Sequence, residues 1–203
     1  MEAVETGSSD EHAQPSDPRS VLLLAPVRSD ERDRECHRHL ASDRTPLKIC
    51  NLNFRHSMGR KVTELTDWGG ELSMPVSMIY ARDRSDHGSD PRDQVPEGVP
   101  LTVEAVTAPS DLTSIGVSLT DVVDEASAAG AHSRICVDSL TTLLQYVELS
   151  AAIKFINVTN TLVEDADSHI HYHLDPRAHD ETVVATLEQV VDEVVTVRDD
   201  GAV

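Results

Sequence analysis

The chain has 203 residues and is 39% apolar, enough for one continuous core and short for two, and 36 Asp and Glu stand against 17 Lys and Arg for a formal charge of -19. That balance excludes nucleic acid as a direct partner: phosphate binding draws on cationic clusters, and the most basic stretch, Arg28 to Arg38, is interleaved with Asp30, Glu31, Asp33 and Glu35. With no apolar run near about 18 residues and no signal peptide at its start, the sequence places the protein in the cytoplasm, away from any membrane.

Only Lys48, Lys61 and Lys154 are lysines. A folded chain this acidic repels itself in dilute buffer and suits molar salt, which screens charge within about 3 Å, so the composition reads as halophilic. Cys36, Cys50 and Cys136 are far apart without CxxC spacing. They imply neither a disulfide framework nor a zinc ribbon and point to buried, reduced thiols.

Residues 1–18 hold Gly, Ser, Pro and acidic side chains with little to bury, and read as a disordered acidic leader before one domain over 19–199. Val21 to Pro26 is a short, continuously apolar run closed by proline, as expected of a strand covered on both faces. A polar helix follows from Ser29, its N-cap, to Leu40, then a strand over Leu47 to Leu52 and a helix over Met58 to Trp68 ended by Gly69-Gly70. Pro75 to Tyr80 is a third strand, and the aperiodic stretch from Arg82 to Pro100, with its prolines and charges, is a loop. Leu101 to Val106 is a strand, Pro109-Ser110-Asp111 leads into a helix to Ala129 stopped by Gly130, and Arg134 to Asp138 is the strand that looks most buried. Thr141 to Thr161 makes one long helix or two, Ser168 to Leu174 a strand, Asp180 to Val190 a helix, and Val194 to Arg198 the last strand. Such alternation implies right-handed crossovers and an α/β fold with a doubly wound, mainly parallel sheet.

The segment Arg134-Ile-Cys-Val-Asp-Ser-Leu-Thr-Thr-Leu-Leu-Gln-Tyr146 resembles the second nucleotide motif of RecA and KaiC-like ATPases. Together with Ala108-Pro109-Ser110-Asp111-Leu112-Thr113, His171-Tyr172-His173-Leu174-Asp175-Pro176 and His179-Asp180-Glu181, it is similar to a haloarchaeal family of uncharacterised KaiC-like domains. The resemblance spans residues 20 to 198 and implies a RecA-like three-layer sandwich, in which Asp138 would be the magnesium-linked carboxylate and Ser139 its neighbour. It implies no activity, since fold does not fix function.

A RecA-like ATPase needs a loop of the form GxxxxGK followed by Ser or Thr after its first strand. Here that strand runs into Val27-Arg28-Ser29-Asp30-Glu31-Arg32-Asp33-Arg34, without glycine or lysine and with three carboxylates where phosphate would sit. Phosphate-loop hydrolysis is therefore not expected. Asp138 then also reads as a polar residue capping the next helix, although the carboxyl edge of an open α/β sheet is where ligands bind.

His169, His171 and His173 alternate with Ile170 and Tyr172, so a strand here turns three imidazoles to one face, about 6.5 to 7 Å apart. With His179, Asp175 and Asp180 close by in sequence, the set suits a divalent transition metal such as zinc, nickel or iron, and the ligand set read from sequence is His171, His173, His179 and Asp175. A structural polar network, with His173 bonded to Asp175 or capping the helix that starts near Asp180, or contact with a non-metal ligand or partner, explains the same residues. His37 and His39 do not share a helix face. Ser139 lacks a GxSxG context, and neither Cys36 nor Cys136 has an evident base beside it in sequence. These readings converge on a non-hydrolytic regulatory or scaffold module without a required cofactor, pairing with a protein or with itself. The alternative is a metal-dependent enzyme or ligand sensor using His169, His171, His173 and His179.

Overall fold

The computed structural model describes residues 19–27, 29–41, 46–54, 75–81 and 101–197. The leader, the helix expected over 58–68 and the loop expected over 82–100 lie outside these residues. Seven strands, β1 (Ser20–Leu24), β2 (Leu47–Asn53), β3 (Val76–Ala81), β4 (Leu101–Val106), β5 (His132–Asp138), β6 (His169–Leu174) and β7 (Glu193–Thr196), pair in parallel in the order β4-β3-β2-β5-β6-β1-β7. The central strands are buried almost throughout, whereas the edge strands β4 and β7 are partly exposed and carry Glu104 and Glu193, charges that discourage further strand pairing.

The helices are α1 (Asp30–Leu40), α2 (Leu112–Ala128), α3 (Leu140–Leu143), α4 (Leu149–Asp165) and α5 (Glu181–Glu188). Sheet order explains where they sit. From β1 to β2 the chain travels one way along the sheet, and from β4 through β5 and β6 to β7 it travels the other way. Right-handed crossovers then put the first connection on one face and the later ones on the opposite face. Accordingly α1 contributes Cys36 and Leu40 to one core cluster, while α2, α3, α4 and α5 contribute Ile115, Leu119, Leu140, Ile156 and Leu187 to the other. The fold is a doubly wound α/β sandwich, as the alternation predicts.

Local chemistry sets the ends of these elements. Ser29 caps α1 by accepting from the Arg32 amide at 3.2 Å, and Gly130, at φ 67°, takes the left-handed conformation that stops the chain just after α2. The stretch expected as one helix or two is two: Leu144 caps α3, and Glu148 opens α4 after an intervening turn. The last strand is shorter than expected, ending at Thr196. Among the described residues no helix is long and apolar enough to cross a membrane.

Candidate functional site

Odd and even positions of the central strands face different layers. Leu22, Leu24, Leu52, Ile135, Val137, Ile170, Tyr172 and Leu174 join the core under α2 to α5. The intervening positions of β5 and β6, Arg134, Cys136, Asp138, His169, His171 and His173, therefore point towards α1. Register completes the arrangement, since β5 and β6 pair with Cys136 beside His171 and β1 pairs with Leu23 beside His173.

At the carboxyl edge, between the ends of β1, β5 and β6, lies the crevice in which open α/β sheets hold ligands. Here the chain fills it. Arg32, on the sheet-facing stripe of α1, donates from Nη2 to Asp138 Oδ1 at 2.6 Å, and both residues are buried. Burial alone would lower the Arg32 pKa, but the Asp138 carboxylate outweighs it, so the guanidinium is held charged. Ser139 caps α3, accepting from the Thr142 amide at 3.3 Å, and the peptide between it and Asp138 is cis. The space left among Val27, Arg32, Asp138, Ser139, Thr141, His173 and Asp175 is about 10 Å³, the size of one water. Asp138 is therefore an ion-pair partner, and the capping role expected of it belongs to Ser139.

One turn further along α1 lies a second constellation. Cys36 Sγ stands 3.6 Å from Cys136 Sγ and 3.4 Å from His171 Nε2. One ligand atom from each of Cys36, Cys136, His171 and His173 can be chosen so that all lie within 4.8 Å of one another, and all four residues are buried. Neither nitrogen of His173 has a geometrically well-formed hydrogen bond among the described residues, and the side-chain partner it does meet is the Cys36 thiol. Burial first, and then the charge of Arg32, pushes the His173 pKa down to about 4 against the opposing pull of Cys36 and Asp138, so the ring is neutral at pH 7. The imidazoles continue as a column: His173 meets His171 edge-on at 5.1 Å between ring centroids, His171 lies 6.2 Å from His169, and His39 of α1 stacks on His169 at 5.5 Å.

The match to known families follows this architecture from end to end. One family model covers residues 18–197, the entire sheet and every described helix. The chain belongs to DUF7504, a family of unknown function. No curated protein matches it.

In this DUF7504 chain the four metal ligands read from sequence divide. His171 and His173 come together, whereas His179 is half-buried outside the cluster and Asp175 is engaged elsewhere. Asp175 accepts from the Val27 amide at 3.2 Å and from the Arg177 amide and side chain at 3.0 and 3.1 Å; despite its burial, these bonds hold its pKa below the usual carboxylate value. His173 does not bond Asp175. His39, discounted because it shares no helix face with His37, joins the column through its own face. Cys36 and Cys136 carried two signals in sequence: Arg32, Cys36 and Leu40 recur every four residues along the sheet-facing stripe, and Cys136 alternates in phase with Asp138. What no local pattern contains is the β5–β6 register and the crossover that lays α1 over both strands.

Proposed function

We propose that this protein is a non-hydrolytic regulatory or scaffold module, built on a degenerate RecA/KaiC-like plan and acting in a salt-rich cytoplasm through a protein partner or a second copy of itself. The observation that carries the reading is the buried Arg32–Asp138 pair, which occupies the crevice where a nucleotide and its magnesium would sit. The carboxylates of Asp30, Glu31 and Asp33 in the first turn of α1 add repulsion towards phosphate at the same edge. A groove between α2 and α4 offers surface for protein contact instead. Its volume is about 550 Å³, and Val117 and Val158 on its rim are 57% and 65% exposed.

The metal-dependent enzyme built on His171, His173, His179 and Asp175 draws less support, because Asp175 is held by Arg177 and the space beside His173 is about 10 Å³, too small for a substrate. Thermal unfolding in molar KCl with millimolar magnesium-ATP tests the main reading. A ligand at 100 times its dissociation constant stabilises by about 2.7 kcal/mol, which for a domain of this size raises the midpoint by about 5 to 10 °C. No shift and no phosphate release are expected. A clear shift, or light scattering that finds only monomer with no protein co-purifying, would overturn it in its nucleotide or its assembly part respectively.

A further inference from the structure

Four soft or borderline donors from three separate elements meet in the layer between α1 and the sheet. Cys36 comes from the middle of α1, Cys136 from β5, and His171 and His173 from alternate positions of β6. We propose that Cys36, Cys136, His171 and His173 form a tetrahedral zinc site that clamps α1 onto the sheet.

The distances carry the argument. Zinc bonds of about 2.3 Å to sulfur and about 2.0 to 2.1 Å to nitrogen give a tetrahedron with edges of about 3.8 Å between sulfurs and about 3.6 Å between sulfur and nitrogen. The sulfurs lie 3.6 Å apart, and His171 Nε2 lies 3.4 Å from Cys36 Sγ. A disulfide would need about 2.05 Å. His173 is the fourth corner: the partner its buried ring finds is the Cys36 thiol, itself a ligand of the same site, and its ligand atom lies within 4.8 Å of those of the other three.

Charge and chemistry agree with the geometry. Two thiolates and two neutral imidazoles around a divalent ion sum to zero, so the filled site adds no net charge to the interior. Metal binding itself displaces the thiol protons, so no separate base is needed. Thiolate and imidazole select zinc and reject the potassium, magnesium and calcium of a salt-rich medium, which want oxygen. Four protein ligands close the coordination shell, the pattern of a structural rather than a catalytic zinc. Zinc would hold α1 to β5 and β6 directly, and α1 would keep Arg32 over Asp138.

Full-length protein purified without a histidine tag, in molar KCl with a thiol reductant, provides the test. Elemental analysis is expected to find about one equivalent of zinc. Cobalt added to the metal-free protein is expected to give the intense visible bands of tetrahedral Co²⁺ with thiolate charge transfer. Replacing a metal ligand is expected to weaken zinc binding by more than the roughly 10- to 100-fold typical of losing an outer-shell partner. Cys136→Ser and His173→Gln should both show this, whereas Cys50→Ala, on the opposite face of the sheet, should retain the metal. Should either ligand variant fail to fold, the cobalt spectrum and zinc competition on the wild-type chain decide. Folded, reduced wild-type protein that binds neither ion, or binds it without thiolate charge transfer, overturns the site. So does a Cys36–Cys136 disulfide found in metal-free protein that zinc does not displace under reductant. None of these outcomes depends on nucleotide binding or self-association.

Discussion

The two faces of one sheet are built on opposite principles. Under α2 to α5 the core is almost wholly aliphatic and aromatic, running from Leu22 and Leu24 through Val137 and Ile170 to Tyr172 and Leu174. Under α1 the same strands present Asn51, Asn53, Arg134, Cys136, Asp138, His169, His171 and His173 beside a smaller apolar cluster around Ile49, Met78 and Tyr80. The first face is stabilised by area removed from water and tolerates approximate packing. The second must satisfy each polar group individually, because an orphaned donor, acceptor or charge costs more than an aliphatic side chain in its place would contribute. The α1 face contains both the closed crevice and the Cys–His cluster.

The sharpest way to break that contrast is to remove one half of the charged pair. Arg32→Met takes the guanidinium from the buried Asp138 carboxylate and should cost about 3 to 5 kcal/mol, while adding Asp138→Leu should restore more than half of the loss. Urea unfolding of both variants at fixed KCl measures this, and equal costs for the single and double variants would show that the pair is not what seals the crevice. A smaller effect is expected from Tyr172→Phe on the aliphatic face. The hydroxyl lies 2.7 Å from Asn160 Oδ1 and 2.6 Å from Thr159 Oγ1, in a polar cluster within that core, and burial holds the phenol well above its usual pKa. Thr159 keeps its bonds to the Phe155 and Ile156 carbonyls. The loss should therefore stay near about 1 to 2 kcal/mol, with midpoint shifts identical in zinc-loaded and metal-free protein. A metal-dependent shift would mean that the two faces are coupled through β6.

How much of this was legible in the sequence differs in the same way between the faces. The aliphatic face announces itself: the unbroken run Val21 to Leu24 and the run Ile135 to Val137 each predict a covered strand, and the alternation of strands and helices predicts the doubly wound sheet. Helix ends were readable too, from Ser29 at one cap and Gly130 at one stop. For the α1 face, the period of two correctly put His169, His171 and His173 on one side of a strand. Sequence proximity points to Asp175 and His179 as their partners, yet the side chains that meet them are Cys36, 135 residues away from His171, and Cys136 on the neighbouring strand. Asp138 was likewise read through its local motif, while its actual partner Arg32 sits 106 residues earlier. Periodicity gives the direction of a side chain; only sheet order and register give what it meets.

The smallest predicted effect separates the two layers by pH. The first turn of α1 is capped by the hydroxyl of Ser29, which does not titrate. The first turn of α2 is capped by Asp111, whose Oδ1 accepts from the Ser114 amide at 3.0 Å and whose Oδ2 accepts from the Ser114 hydroxyl at 2.7 Å. Those two bonds, the backbone one foremost, hold the Asp111 pKa below its ordinary value. A depressed folded-state pKa means a contribution that is complete above the ordinary carboxylate range of about 4 and is lost as pH falls through the lower folded-state value. Asp111→Asn keeps a capping side chain but removes the charge. Thermal midpoints of the wild-type and Asp111→Asn chains, compared at fixed molar KCl, should differ in favour of the wild type at neutral pH and converge as acid protonates Asp111. A gap that stays constant through that range would show that Asp111 acts by shape alone, and that acid loosens the α2 layer no sooner than it loosens α1.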